Sequence, residues 1–177
     1  MKKISKKFTD ILIRYSILVL VAIPNLWIFY FIFTPLTLYP VYFLLNIFFP
    51  ASLTGTTILI NNYPIELIPA CIAGAAYYLL LILNLSVPDI KFQKRIKMIL
   101  FSFTFLLILN ILRIFSLSLI FLSGNSLFDI THKLFWYLGS TVFVVGIWFI
   151  EVKIFKVKKI PIYSDFKFLY KKSILKK

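Results

Sequence analysis

Cysteine and histidine are nearly absent from this chain of 177 residues, at one residue each. A lone cysteine excludes an intramolecular disulfide framework and any metal site built on cysteine pairs. A lone histidine excludes a cluster of imidazole ligands. No metal and no cofactor is therefore expected. Acidic residues are scarce as well: six Asp and Glu stand against twenty Lys and Arg, for a net charge of +14. Basic residues are themselves missing from a long stretch, since none lies between Arg14 and Lys91. Apart from Arg113 and Lys133, the remainder cluster at Lys2–Lys7, at Lys91–Lys97 and from Lys153 onward. No basic face is interleaved with exposed aromatics, so nucleic acid is not an expected partner.

What fills the chain instead is apolar. Hydrophobic residues make up 61% and aromatics 19%, with a mean hydropathy of +0.95. A soluble domain of this length could not hide that much apolar surface, because part of any folded surface is wetted. Lipid is the alternative solvent, and a span needs about 20 apolar residues. The expectation is an all-α, polytopic membrane helical bundle forming a single integral domain over residues 1–177. The basic stretches 1–10 and 156–177 read as cytoplasmic tails, and the charge clusters flanking the apolar runs follow the positive-inside pattern. The apolar run after the basic start is longer than a signal-peptide core and lacks a small-residue cleavage site, so it reads as a retained helix.

Spans are predicted at Ile11–Phe33, Pro69–Leu85, Met98–Leu122 and about Lys133–Phe155. Pro24 interrupts the first, which membrane helices tolerate. Pro69 suits a helix start, and Ser123-Gly124-Asn125-Ser126 stops the third span. Leu36–Phe49 is apolar but short and bracketed by Pro35, Pro40 and Pro50. Parity decides its reading. With the N-terminus, the Lys91–Lys97 loop and the tail inside, the stretch 34–68 begins and ends outside, so Leu36–Phe49 is expected as a short outer or re-entrant helix. Thr56–Ile60 and Ile65–Ile68, separated by the turn signal Asn61-Asn62-Tyr63-Pro64, suggest a small external β-hairpin. The count is four long spans plus the short helix, in the plasma membrane, with both termini cytoplasmic.

Three residues stand out as carriers of chemistry. Arg113 lies inside a span, about 13 Å from its outer end at the helical rise. An arginine near a helix centre costs about 2.5–3.5 kcal/mol on insertion scales, so it faces a cavity or a partner. Asn110 shares its helix face and is placed to hold it. The structural alternative is an ion pair with Glu66 or Asp129. Cys71 sits at the outer start of its span, where it is either a small buried hydrophobe or a nucleophile favoured as thiolate by the helix N-terminus. His132, at the outer mouth of the last span, is either an idle interfacial side chain or a general acid and base. All three map to the outer half of the membrane on separate spans. A nucleophile, a base and a cation for the oxyanion are what acyl transfer requires.

At these residues the chain resembles the exosortase/archaeosortase family of membrane transpeptidases. The resemblance lies in Glu66-Leu67-Ile68-Pro69-Ala70-Cys71-Ile72-Ala73-Gly74, in Leu109-Asn110-Ile111-Leu112-Arg113-Ile114, and in His132, and it covers roughly residues 56–150. Ile72 departs from the serine that many members carry after the cysteine, and the short chain looks more like compact archaeal members. The resemblance implies a thiol protease and transpeptidase acting on C-terminal sorting signals of exported proteins at the outer face. Catalytic roles fall to Cys71, Arg113 and His132, and a membrane lipid serves as acceptor. Two other readings stay open: an intramembrane hydrolase with water as acceptor, and a non-enzymatic transporter or assembly subunit with a structural Arg113–Glu66 pair.

Overall fold

The computed structural model describes residues 2–124, 128–135 and 139–172. It is mostly helical, with one small antiparallel sheet. The chain runs through α1 (Lys2–Ala22), α2 (Trp27–Phe48), β1 (Ala51–Thr54), β2 (Thr57–Ile60), β3 (Tyr63–Glu66), α3 (Pro69–Ile72) and α4 (Gly74–Leu85). It continues through α5 (Phe92–Leu122), α6 (Phe128–Leu134), α7 (Ser140–Ile154) and α8 (Tyr163–Lys172). Among the described residues, α2 and α5 are long and apolar enough to cross a membrane.

The N-terminal third departs from the expected pattern. A span at Ile11–Phe33 followed by a separate short helix does not form. Instead α1 ends where Asn25 (φ 49°) and Leu26 (φ 59°) enter the left-handed region just after Pro24. The next helix then runs unbroken through Pro35 and Pro40 to Phe48. Each internal proline removes one backbone donor, yet the surrounding apolar packing holds α2 together. The Tyr78 hydroxyl donates to the Leu18 carbonyl of α1 (3.0 Å), and the Tyr78 ring meets Phe29 of α2 at 6.4 Å. The two helices therefore meet beside one residue of α4, and α2 carries on until Phe48 reaches Phe115 near the far end of α5.

Aromatic packing locks α2, α4 and α5. Phe33 stacks on Tyr77 with centroids 3.7 Å apart, and Phe103 stands edge-on to both at 5.7 and 5.5 Å. Such pairs contribute about 0.5–1.5 kcal/mol beyond their area burial. α7 runs antiparallel to α5, since Phe155 meets Phe101 at one end and Phe128 of α6 meets Phe121 at the other. The stop read at Ser123–Ser126, the last span between residues 136 and 138 and the tail beyond 172 fall wholly or partly outside the described residues.

The expected hairpin is a three-stranded sheet in the order β1-β2-β3. Asn61 and Asn62, at φ 47° and 69°, form the β2–β3 turn, the conformation that a two-residue hairpin loop requires and that Asn tolerates. Gly55, at φ 62°, supplies the β1–β2 turn. Ile58 and Ile60 are fully buried beneath the sheet.

At the opposite end of α4, two arginines serve backbone carbonyls. Arg95 donates to the carbonyls of Asn84, Leu85 and Val87, each at 2.9 Å. Arg14 donates to Leu85 at 2.6 Å. The last carbonyls of a helix have no partner within it, and here α1 and α5 supply them. Arg14 also grips Asp165 of α8 at 2.9 and 3.0 Å, with both side chains buried. Asp89, in the α4–α5 connection, takes Lys159 and Lys7 (3.3 Å).

Removing one partner of a buried ion pair costs about 3–5 kcal/mol, because the other charge stays buried and alone. Asp165→Ala should therefore lower unfolding stability in detergent by that order, and Arg14→Met with Asp165→Leu should recover most of it. A double variant no more stable than Asp165→Ala would refute this. The hydrogen bond from Lys159, with Lys7 adding to it, holds the Asp89 carboxyl below its usual range. That contribution is present above the ordinary aspartate value and is lost as pH falls through the lowered one. Amide exchange in α8 should thus quicken on acidification below about pH 4, and Asp89→Asn should remove part of that response.

Candidate functional site

The site begins with a break in a helix. Pro69–Leu85 reads as one continuous span in the sequence, but Ala73 adopts φ 62° and divides it into α3 and α4. A non-glycine residue in the left-handed region costs on the order of 1–3 kcal/mol, so neighbours must hold it there. The break removes acceptors' usual partners, and two side chains of α5 compensate. Asn110 Nδ2 donates to the Cys71 carbonyl at 2.9 Å, with the Ile72 carbonyl 3.5 Å away. An Arg113 guanidinium nitrogen donates to the same Cys71 carbonyl at 3.2 Å. Asn110 thus serves Cys71, whereas the helical spacing alone suggested that it would serve Arg113.

Gly74, straight after the break, allows α2 to approach. A β-carbon there would lie 2.8 Å from the Tyr30 ring. The close contact seats the first turn of α4 against α2, and Cys71 borders a space shared with β3, α5 and α6.

Between those elements lies a cavity of about 240 Å³. Its walls are Pro64 to Ile68, then Cys71, then Arg113, Ile114, Leu117, Ser118 and Phe121 of α5, and finally Phe128, His132 and Phe135. The three singled-out residues therefore come together around one space, from α3, α5 and α6. Cys71, Arg113 and His132 are each half-buried. The His132 ring stacks on Phe128 with centroids 5.4 Å apart. It rides on the short α6, which precedes α7. Glu66 and Arg113 line the same cavity, and among the described residues no ion pair joins them. The lining is mainly apolar with few polar groups, the usual make-up of a ligand-binding cavity.

A second polar cluster was passed over in the sequence. Glu151 of α7 is fully buried. Asn84 Nδ2 lies 3.2 Å from its Oε2, 3.4 Å from Ser102 Oγ and 3.0 Å from the Leu80 carbonyl. The signal was legible: Glu151 is the one acid in Ser140–Ile154. It sits at the far end of α4 from Cys71 and is not part of the cavity lining.

Comparison with family models, curated proteins and solved structures finds no match to this chain.

The geometry makes Asn110 a positioning residue. Without it the Cys71 carbonyl keeps Arg113 but loses its shorter hydrogen bond, at a cost of about 0.5–1.5 kcal/mol. Asn110→Ala should lower unfolding stability by that order and change the alkylation rate of the Cys71 thiol, and Asn110→Gln should restore part of both. An unchanged thiol rate in Asn110→Ala would show that the turn holds without it.

Proposed function

We propose that this chain is a membrane cysteine transpeptidase of the exosortase/archaeosortase type. It cleaves C-terminal sorting signals of exported proteins and transfers them to a membrane lipid. One observation carries the reading: Cys71, Arg113 and His132, from three helices, share one cavity. Acyl transfer by a thiol needs these three chemical functions within reach of one carbonyl.

The topology under this reading is four crossings with both termini cytoplasmic. α1 and α2 meet end to end beside Tyr78 and together make the first crossing, α3 with α4 the second, α5 the third and α6 with α7 the fourth. The even count puts the Lys91–Lys97 cluster and both basic ends on one side, in keeping with the positive-inside rule. It puts the cavity and the sheet on the other.

Catalysis then follows from the side chains. His132 takes the Cys71 thiol proton, and Sγ attacks the scissile carbonyl carbon. Arg113 faces the cavity while one nitrogen holds the Cys71 turn, so its charge stabilises the oxyanion of the tetrahedral intermediate. As the intermediate collapses, the C–N bond breaks, His132 delivers its proton to the leaving amine, and a thioester to Cys71 remains. A lipid nucleophile next attacks the thioester carbonyl and gives its proton to His132. The C–S bond breaks, the substrate is joined to lipid, and the proton returns to Cys71. The apolar wall of α5 and α6 limits water, which favours transfer over hydrolysis.

The test is processing of an exported protein from the same genome that ends in a short motif, an apolar helix and a basic cluster. Cys71→Ala should abolish it. His132→Ala and Arg113→Ala should slow it on the order of 10²-fold or more, and the surface variant Leu100→Ala should leave it intact. Processing that survives Cys71→Ala would sink the proposal. The mass of the product's new C-terminus separates a lipid adduct from a free carboxylate.

A further inference from the structure

The sheet beside the cavity has an open edge whose hydrogen-bonding phase can be read residue by residue. Among the described residues β3 pairs only with β2, in the register Ile60↔Tyr63, Leu59↔Pro64, Ile58↔Ile65 and Thr57↔Glu66. In a two-residue hairpin the pair next to the turn exchanges both backbone bonds, and hydrogen-bonded pairs then alternate. Tyr63 and Ile65 therefore point their N–H and C=O groups at β2, and Pro64 and Glu66 point theirs away. Two observations agree with this phase. Pro64, which has no N–H, stands at an outward position, as an edge strand requires. Leu67 N–H donates to the Thr56 carbonyl at 3.0 Å, so Leu67 continues the inward set and Ile68 the outward one.

The outward set thus offers the Pro64 carbonyl, the Glu66 N–H and carbonyl, and the Ile68 N–H. The same edge borders the cavity. Side chains alternate between the two faces of a strand, yet five consecutive residues, Pro64 to Ile68, line the space. A cavity against one face would be lined by every second residue, so it is the edge that it meets. Cys71 follows three residues after Ile68, on the same wall.

We propose that the substrate's scissile segment binds as an added strand on the free edge of β3, parallel to it. This deepens the transpeptidase reading above and rests on it. Direction follows from the path of the chain. β3 leads by way of α3 into α4, away from the sheet and into the bundle. A substrate with its folded part outside and its C-terminal helix in the membrane passes the site the same way. In a parallel pair, the residue opposite Glu66 is left unbonded and its two neighbours make the bonds. The neighbour before it accepts from Glu66 N–H and donates to the Pro64 carbonyl. The neighbour after it accepts from Ile68 N–H and donates to the Glu66 carbonyl. Four backbone bonds would hold three residues of any sequence in extended form, with side-chain selection left to the apolar walls.

The test uses the full-length protein in detergent and acetyl-tetra-alanyl chloromethyl ketone. This reagent alkylates the Cys71 thiol, which loses its proton as chloride leaves. The amides of the reagent are N-methylated one at a time. Edge pairing predicts alternation: methylation slows labelling about tenfold, the worth of one backbone hydrogen bond, at every second position and little between. Glu66→Pro removes an outward donor without touching the β2–β3 ladder. It should slow the peptide reagent about tenfold relative to iodoacetamide, whereas the surface variant Leu100→Ala should change neither rate. Labelling that ignores the methylated position, in the wild-type protein, would overturn the proposal. Failure of the transpeptidase reading has a different signature: alternation persists while substrate processing survives Cys71→Ala.

Discussion

A backbone carbonyl buried among apolar side chains must find a donor within the protein. That constraint explains where the polar side chains went. The left-handed turn at Ala73 would leave the Cys71 carbonyl stranded, and Asn110 and Arg113 reach it from α5. The C-terminal carbonyls of α4 would be stranded in the same way, and Arg14 and Arg95 reach them from α1 and α5. α4 is thus held at both ends by side chains from other helices. The lower set ties in α8 through Asp165, and the upper set fixes the turn that carries the cysteine.

The aromatic layer between these two ends supplies the rest of the rigidity. Phe33, Tyr77 and Phe103 come from three helices, and their ring packing keeps α2, α4 and α5 in register. Gly74 is pressed to Tyr30 of α2, and Cys71 lines the cavity between β3, α5 and α6. The proposed chemistry depends on that cavity, since it is there that a peptide would meet the thiol.

Parts of this were legible residue by residue. The helical content, the stop of α5 at Leu122 and the β2–β3 turn at Asn61-Asn62 follow from apolar runs and turn chemistry. Cys71, Arg113 and His132, singled out for their chemistry, line one cavity. Other parts misled. Pro35 and Pro40 argue for a helix boundary by local rules, but packing against α4 and α5 carries α2 through both. Pro24 reads as a tolerated kink, and the left-handed Asn25 and Leu26 make it a full break. Ala73 carries no local breaker signal at all. Arg14 and Arg95 read from the sequence only as members of basic clusters, and the carbonyls they serve show only in the packed structure.

Composition, charge placement and apolar run length are sums along the chain, and the sequence by itself determined them. They set an apolar helical protein with basic ends and a small hairpin-forming insert. The tertiary structure alone decided where the helices break, which carbonyls the arginines serve, and that β3 keeps an open edge beside Cys71. The physical reason is distance along the chain. Asn110 and Cys71 are 39 residues apart, and Arg14 and Asp165 are 151 apart. No local propensity encodes a bond between partners so far removed, because its energy exists only once the helices have packed.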